Sequence, residues 1–275
     1  RGELVVFLDG DALPMPDLLS SYWAAYRQYG RRAVLSGLQH VLAGLDYLAD
    51  PQDAASIVPG TPSVVADWVA AHAAQILVRD ADVLADSKSL WERSQPGGYP
   101  FADSAERQRQ ARELLAREPE PDGLRWTAFV PHNGAAARDL LQAAGGFDAD
   151  IPFSEGWELA YRLQNQHQAQ VFAADAATLH LYHHHPFADP EGARAEALVR
   201  YRAIEHMVRK HRDEGIRLLY LWFAALWPDP FVPEDAVLPD LVACDAAYRQ
   251  QRRGSSAIEN AIFMNHPVYG HLAAA

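Results

Sequence analysis

The alternation of apolar and polar positions predicts a strand-rich opening, a long helical middle, a second mixed stretch and a helical end. Leu4-Val5-Val6-Phe7-Leu8 is an unbroken apolar run, which predicts a strand buried on both faces. Pro14 and Pro16 then turn the chain away. Asp17 is placed to cap a helix to about Tyr29, with Leu18, Leu19, Tyr22, Trp23 and Tyr26 on one broad face and Gly30 as its stop. Ala33 to Gly37 reads as a second strand, with the opening strand as its expected parallel partner.

Leu38 to Leu48 reads as helix, and Ser63 to Val83 as one long helix. Trp91 to Phe101 reads as a loop, and Ser104 to Arg117 as a charged helix with a solvated face. The whole stretch 38–123 is expected to be a helical insertion between two pieces of a sheet. Trp126 to Val130 reads as a strand, Pro131 to Gly134 as a turn, and Ala135 to Ala144 as a helix stopped by Gly145-Gly146. Glu155 opens another helix. Short strands are expected at Gln170 to Ala173 and Thr178 to Tyr182, followed by helices at Pro190 to His211, Ile216 to Leu226 and Leu241 to Arg252.

Composition narrows the class. The chain has 275 residues, 49% hydrophobic and 22% charged, which suits an ordinary globular protein of α/β type. A net charge of -12 argues against general binding to nucleic acid, which needs clustered Lys and Arg. The single Cys244 excludes an intrachain disulfide and fits a reducing, cytoplasmic setting. No apolar run reaches the roughly 20 residues of a membrane span, and no secretory signal is visible. The first residue is not Met, and a strand follows almost at once. The expectation is therefore a sheet whose first part lies outside this chain.

Candidate chemistry begins at the end of the first strand. Asp9 and Asp11 flank Gly10, where open α/β sheets place ligands. Two carboxylates so close repel unless a cation neutralises them, and hard oxygen ligands suit Mg²⁺ or Mn²⁺. Solvated caps of an acidic turn would look the same. A phosphatase would also use such a pair, yet it needs a well-placed Lys, and only Lys88 and Lys210 exist.

Further along, Asn133-Gly-Ala-Ala-Ala-Arg138 leads to Gly145-Gly146-Phe147-Asp148, then to Glu155-Gly-Trp-Glu158-Leu-Ala-Tyr-Arg162-Leu163 and a later run of histidines. This order resembles the second half of a GT-A glycosyltransferase of the family 2 type, over roughly residues 3 to 185. The resemblance implies a partial GT-A sheet in 1–188 and a helical extension in 189–275. It implies hexosyl transfer from a nucleoside diphosphate sugar, with UDP as the expected nucleotide, to a hydroxyl of a glycan, peptide or other acceptor. Asp9 and Asp11 would bind the metal and donor diphosphate, with Asp11 as the direct ligand. His180, His183 and His185 compete to be a further metal ligand, and an imidazole favours Mn²⁺ over Mg²⁺.

The same resemblance makes Glu155 the first residue of an acidic pair whose second position, the usual base of inverting members, is Gly156 here. Glu155 or Glu158 is then the candidate base, and both equally fit a helix N-terminus, where negative charge is favoured. Asn133, Trp157 and Arg162 are candidate substrate contacts. Trp157 either stacks on a sugar or packs, and Arg162 either pairs with a glutamate or touches phosphate. The nucleotide-binding half of the family lies outside this chain, so the chain alone is expected to bind donor poorly. A catalytically degenerate binding domain is the second reading, and the phosphatase the third.

Overall fold

A computed structural model describes residues 2–42, 44–85, 87–96, 102–151, 154–181, 190–220, 222 and 239–252. In chain order, β1 (Leu4–Leu8) and β2 (Ala12–Pro14) precede α1 (Leu18–Tyr29) and β3 (Ala33–Val41). Four short helices follow: α2 (Ser63–Ala71), α3 (Ala73–Ile76), α4 (Asp80–Ala85) and α5 (Ser87–Arg93). Then come β4 (Gln95–Pro96), α6 (Ala102–Ala116), β5 (Asn133–Ala137), α7 (Arg138–Ala144) and α8 (Glu155–Asn165). The described chain ends with β6 (Gln170–His180), α9 (Pro190–His211) and α10 (Leu241–Arg252). The fold is mixed α/β, as composition and pattern indicate.

The sheet runs in the order β1-β5-β3-β6-β2, with β4 added to the end of β3. β3 and β6 are parallel, while β5 is antiparallel to both β1 and β3. The expected β1–β3 pairing is therefore wrong: β5 lies between them. Nor is β1 fully buried, since its residues are half-buried and Leu8 is 40% exposed. β1 and β2 stand at opposite ends of the sheet path although only Asp9, Gly10 and Asp11 separate them. That link reaches at most about 14 Å, whereas four flat strand spacings need about 19 Å. The sheet must bend strongly, and a register shift between Ser36 and Leu38 in the β3–β6 ladder marks a break in its regularity.

Asn133 holds that break together. Its side-chain amide donates to Leu38 O (2.7 Å) and Ala176 O (2.9 Å), one carbonyl from each strand at the shift. Its own oxygen accepts from the Tyr22 hydroxyl at 2.6 Å. Gly37 is required beside it, because a Cβ there would lie 2.4 Å from the Asn133 amide nitrogen.

Other expectations change. Residues 125–128 form a buried 3-10 turn rather than a strand, and Ala135 to Ala137, expected to open a helix, belong with Asn133 and Gly134 to strand β5. Alanine favours helix in isolation, but small side chains also let β5 fit between two strands, and tertiary packing decides. Ser63 to Val83 is broken after Ala71 and again after Ile76. At the first break His72 Nδ1 sits 2.7 Å from Trp68 O, the carbonyl that its own N–H also uses; such local bonding competes with the helix ladder. At the second, Val78 N–H donates to Pro51 O instead. β3 continues to Val41 where helix was expected, α5 occupies part of the expected loop after Trp91, and β6 is one strand rather than two. The helix expected from Ile216 begins as a 3-10 turn at Glu214–Arg217, and its end lies outside the described residues.

Among the described residues, three apolar clusters hold the layers. α1 packs Leu18, Tyr22 and Tyr26 onto the alanines of β5 and β6. Val69, Ile76 and Leu90 of the middle helices cover Leu179 near the end of β6. The largest cluster joins Trp126, Phe129, Leu159 and Leu163 to Ile204, Met207, Trp222 and Tyr248, so the C-terminal helices share a core with the sheet. Among the described residues no helix is long and apolar enough to cross a membrane.

Candidate metal centre and adjoining cavity

The backbone ladder brings the first candidate residues together. Ala12 of β2 lies opposite His180 of β6, and Leu181 N–H donates to Asp11 O at 2.8 Å. Asp11 is thereby laid beside His180, and His180 Nε2 lies 3.1 Å from Asp11 Oδ2. Asp9, at the end of β1, completes the group: one ligand atom of each of the three residues lies within 4.8 Å of the others. Partial burial, then the neighbouring Asp11 charge, raise the Asp9 pKa, with His180 opposing them. Two oxygens and one imidazole nitrogen in this arrangement can hold a metal ion, which would relieve the carboxylate repulsion. His183 and His185, the other candidate ligands, lie outside the described residues.

His132 connects this group to a cavity. Its ring lies 6.1 Å from that of His180, centre to centre, and its Nε2 is 2.8 Å from Gln39 Oε1. Burial, followed by the charges of Arg107 and His180, holds its pKa well below the usual imidazole value, so the ring stays neutral. His132, Gln39 and Pro131 form one wall of a cavity of about 320 Å³, which falls at the small end of the range for ligand sites. Glu155, Gly156 and Trp157 form another wall, and Arg107, Arg112 and Arg200 reach it from α6 and α9.

The candidates in α8 separate into two groups. Glu155 faces the cavity at the helix N-terminus. Gly156 is packed so closely on Pro131 that a Cβ would meet Pro131 Cγ at 2.5 Å, so a longer side chain cannot enter without displacing the ring. Trp157 is mostly buried, packs against Trp222 at 5.5 Å and still borders the cavity.

Glu158 and Arg162 point elsewhere. Glu158 is fully buried and receives Arg162 Nε at 2.8 Å, Lys210 Nζ at 2.8 Å and His211 Nε2 at 3.0 Å. Burial would raise its pKa, but the hydrogen bonds from His211, Arg162 and Lys210 outweigh it and hold the carboxyl well below its usual value. Arg162 also donates to Ala144 O and, at 2.7 Å, to Gly146 O, closing the turn after α7. Lys210 bridges to Asp148 at 2.6 Å. The Gly-Gly-Phe-Asp turn and the Glu158/Arg162 segment thus form one ionic clasp, buried at Glu158 and Arg162 and open to solvent at Lys210. Asn133, expected at substrate, has its amide committed to the sheet as described above.

Sequence reasoning missed His132, Gln39 and the three arginines. The signal in α6 was a double one. Glu106, Arg109 and Glu113 do form the solvated face, with Arg109 bridging the other two at 2.6 and 3.1 Å. Arg107, Ala111, Arg112 and Leu115 repeat at helical spacing on the cavity side. No protein-family model and no curated protein matches this chain.

Proposed function

We propose that this chain transfers a sugar from a nucleoside diphosphate sugar, held through Mn²⁺ or Mg²⁺, to an acceptor hydroxyl bound in the cavity. The observation that carries this reading is the Asp9–Asp11–His180 group standing one imidazole away from a cavity that contains Glu155. The resemblance of the Asn133, Gly145–Asp148 and Glu155–Leu163 segments to family 2 GT-A glycosyltransferases supports it. Asp9, Asp11 and His180 would hold the ion, and the mixed oxygen and nitrogen set favours Mn²⁺. A divalent ion there would offset the negative charge that builds on the departing diphosphate.

Among the described residues, Glu155 is the proposed acceptor of the hydroxyl proton, because it lines the cavity. The hydroxyl oxygen forms the new bond to the sugar's anomeric carbon, the bond from that carbon to the diphosphate breaks, and the hydroxyl proton passes to the Glu155 carboxylate. Glu158 is unsuited to this role, since its carboxylate is enclosed by Arg162, Lys210 and the His211 ring. The phosphatase alternative gains nothing, because Lys210 is tied to Asp148 and Glu158.

Release of nucleoside diphosphate from a panel of donors, with Mn²⁺ and with or without hydroxyl acceptors, tests the reading. Turnover on at least one donor, lowered about 10²- to 10⁴-fold in Glu155→Gln, is expected for loss of a general base. Metal binding with no turnover on any donor would instead make this a binding domain.

A further inference from the structure

The described residues lining the cavity differ in charge from the chain as a whole. The sequence carries 36 acidic and 24 basic residues. Yet the described residues that line the cavity include Arg107, Arg112 and Arg200 against a single carboxylate, that of Glu155. The arginines come from two separate helices, so their convergence is a product of the fold and not of a local basic run. Arg112 is held in place: its guanidinium donates to Ala174 O at 2.9 Å, and burial lowers its pKa while the nearby Asp175 charge opposes the shift, as a bound anion also would. Guanidinium groups match the planar, two-oxygen face of carboxylates and phosphates. The neutral His132 and the Gln39 and Gln108 side chains add uncharged polar partners on the same walls.

We infer that the cavity binds a ligand bearing a carboxylate or phosphate, seated on Arg107, Arg112 and Arg200, with a hydroxyl directed to Glu155. A volume of about 320 Å³ suits roughly one sugar ring with its substituents. As a statement about the acceptor, this rests on the glycosyl-transfer reading and narrows it to acidic sugars. As a statement about an anion site, it stands without that reading. The arrangement also gives the anion a positional role. Glu155 repels a negative group, so the anionic end settles on the arginine side and the neutral hydroxyl end faces the carboxylate.

The test titrates the full chain with glucuronate, glucose 6-phosphate and glucose, each without metal, by calorimetry. Saturable binding of one or both charged sugars and at least tenfold weaker binding of glucose are expected. Whichever charged sugar binds more tightly identifies the source of the anion. In the double variant Arg107→Gln/Arg200→Gln, the charged sugars should weaken at least tenfold while Mn²⁺ affinity stays within twofold, which also reports an intact fold. Glucose binding as tightly as its charged counterparts overturns the inference, as does unchanged charged-sugar binding in the double variant. A loss of affinity for Mn²⁺ with UDP as large as that for the charged sugars also overturns it, since the arginines would then serve the donor. Asp11→Ala separates the two readings. It should weaken Mn²⁺ binding at least tenfold and leave charged-sugar binding intact, so failure of wild-type Mn²⁺ binding removes the donor reading and not the anion site.

Discussion

Gly156 and Pro131 are in such close contact that a single added carbon on the glycine would stand 2.5 Å from the proline ring. The pair fixes the floor of the cavity next to Glu155 and explains why no carboxylate follows Glu155 directly. Gly156→Ala should cost about 1–3 kcal/mol through overpacking, read as a lower urea midpoint. Adding Pro131→Ala should recover part of that loss, whereas strictly additive effects would show that the contact is not the cause.

The two glutamates of α8 should separate cleanly. Glu158→Gln leaves Arg162, Lys210 and the His211 ring facing a neutral amide in a buried place, and breaking a buried ionic cluster costs about 3–5 kcal/mol. Glu155→Gln should change stability by no more than about 0.5 kcal/mol, as is usual for a position away from such features. Thermal melts of both variants, set beside their donor turnover, give the comparison. A Glu155→Gln protein as unstable as Glu158→Gln would assign Glu155 a structural role.

Asn133 is a fastener of the sheet. Asn133→Ala removes three hydrogen bonds and leaves Leu38 O, Ala176 O and the Tyr22 hydroxyl without that partner. A loss of about 2–4 kcal/mol follows from the usual cost of buried unsatisfied groups. Denaturant unfolding measures it, and a loss below about 0.5 kcal/mol would contradict the assigned role.

Stability should also fall in mild acid. His40 stacks on Trp91 with ring centres 3.7 Å apart, and burial lowers its pKa from 6.5 to about 4. A lowered folded value means that the unfolded chain binds the extra proton first as pH drops. The contribution is therefore complete above about pH 6.5 and is lost as pH falls toward 4. His40→Gln should flatten the urea midpoint over that window, and an unchanged slope would exclude His40 as a source.

Much of this fold is legible in the sequence where one period dominates. α1, α9 and α10 follow their apolar stripes and stop signals. The two-residue spacing of Asp9 and Asp11 is plain, while His180 enters only as one of three histidines that the resemblance offers as a ligand. What is not legible is non-local. Nothing in residues 133–137 announces a strand placed between β1 and β3, because alanine favours helix until two neighbours supply a ladder. The apolar run 126–130 has the composition of a strand, yet Trp126 and Phe129 are buried in a turn under α8 and the C-terminal helices. Runs this short fit either state, and only the surroundings decide. Arg162 shows the same limit at the site, since its two expected roles differ only in what the fold places next to it.

The candidate metal centre is tested most directly by Mn²⁺ titration of the unaltered chain and of Asp11→Ala, each with and without UDP. Saturable binding by the unaltered chain, strengthened by UDP and weakened at least tenfold by Asp11→Ala, is the predicted result. Equal Mn²⁺ affinity in the two proteins would contradict a centre built on Asp9, Asp11 and His180.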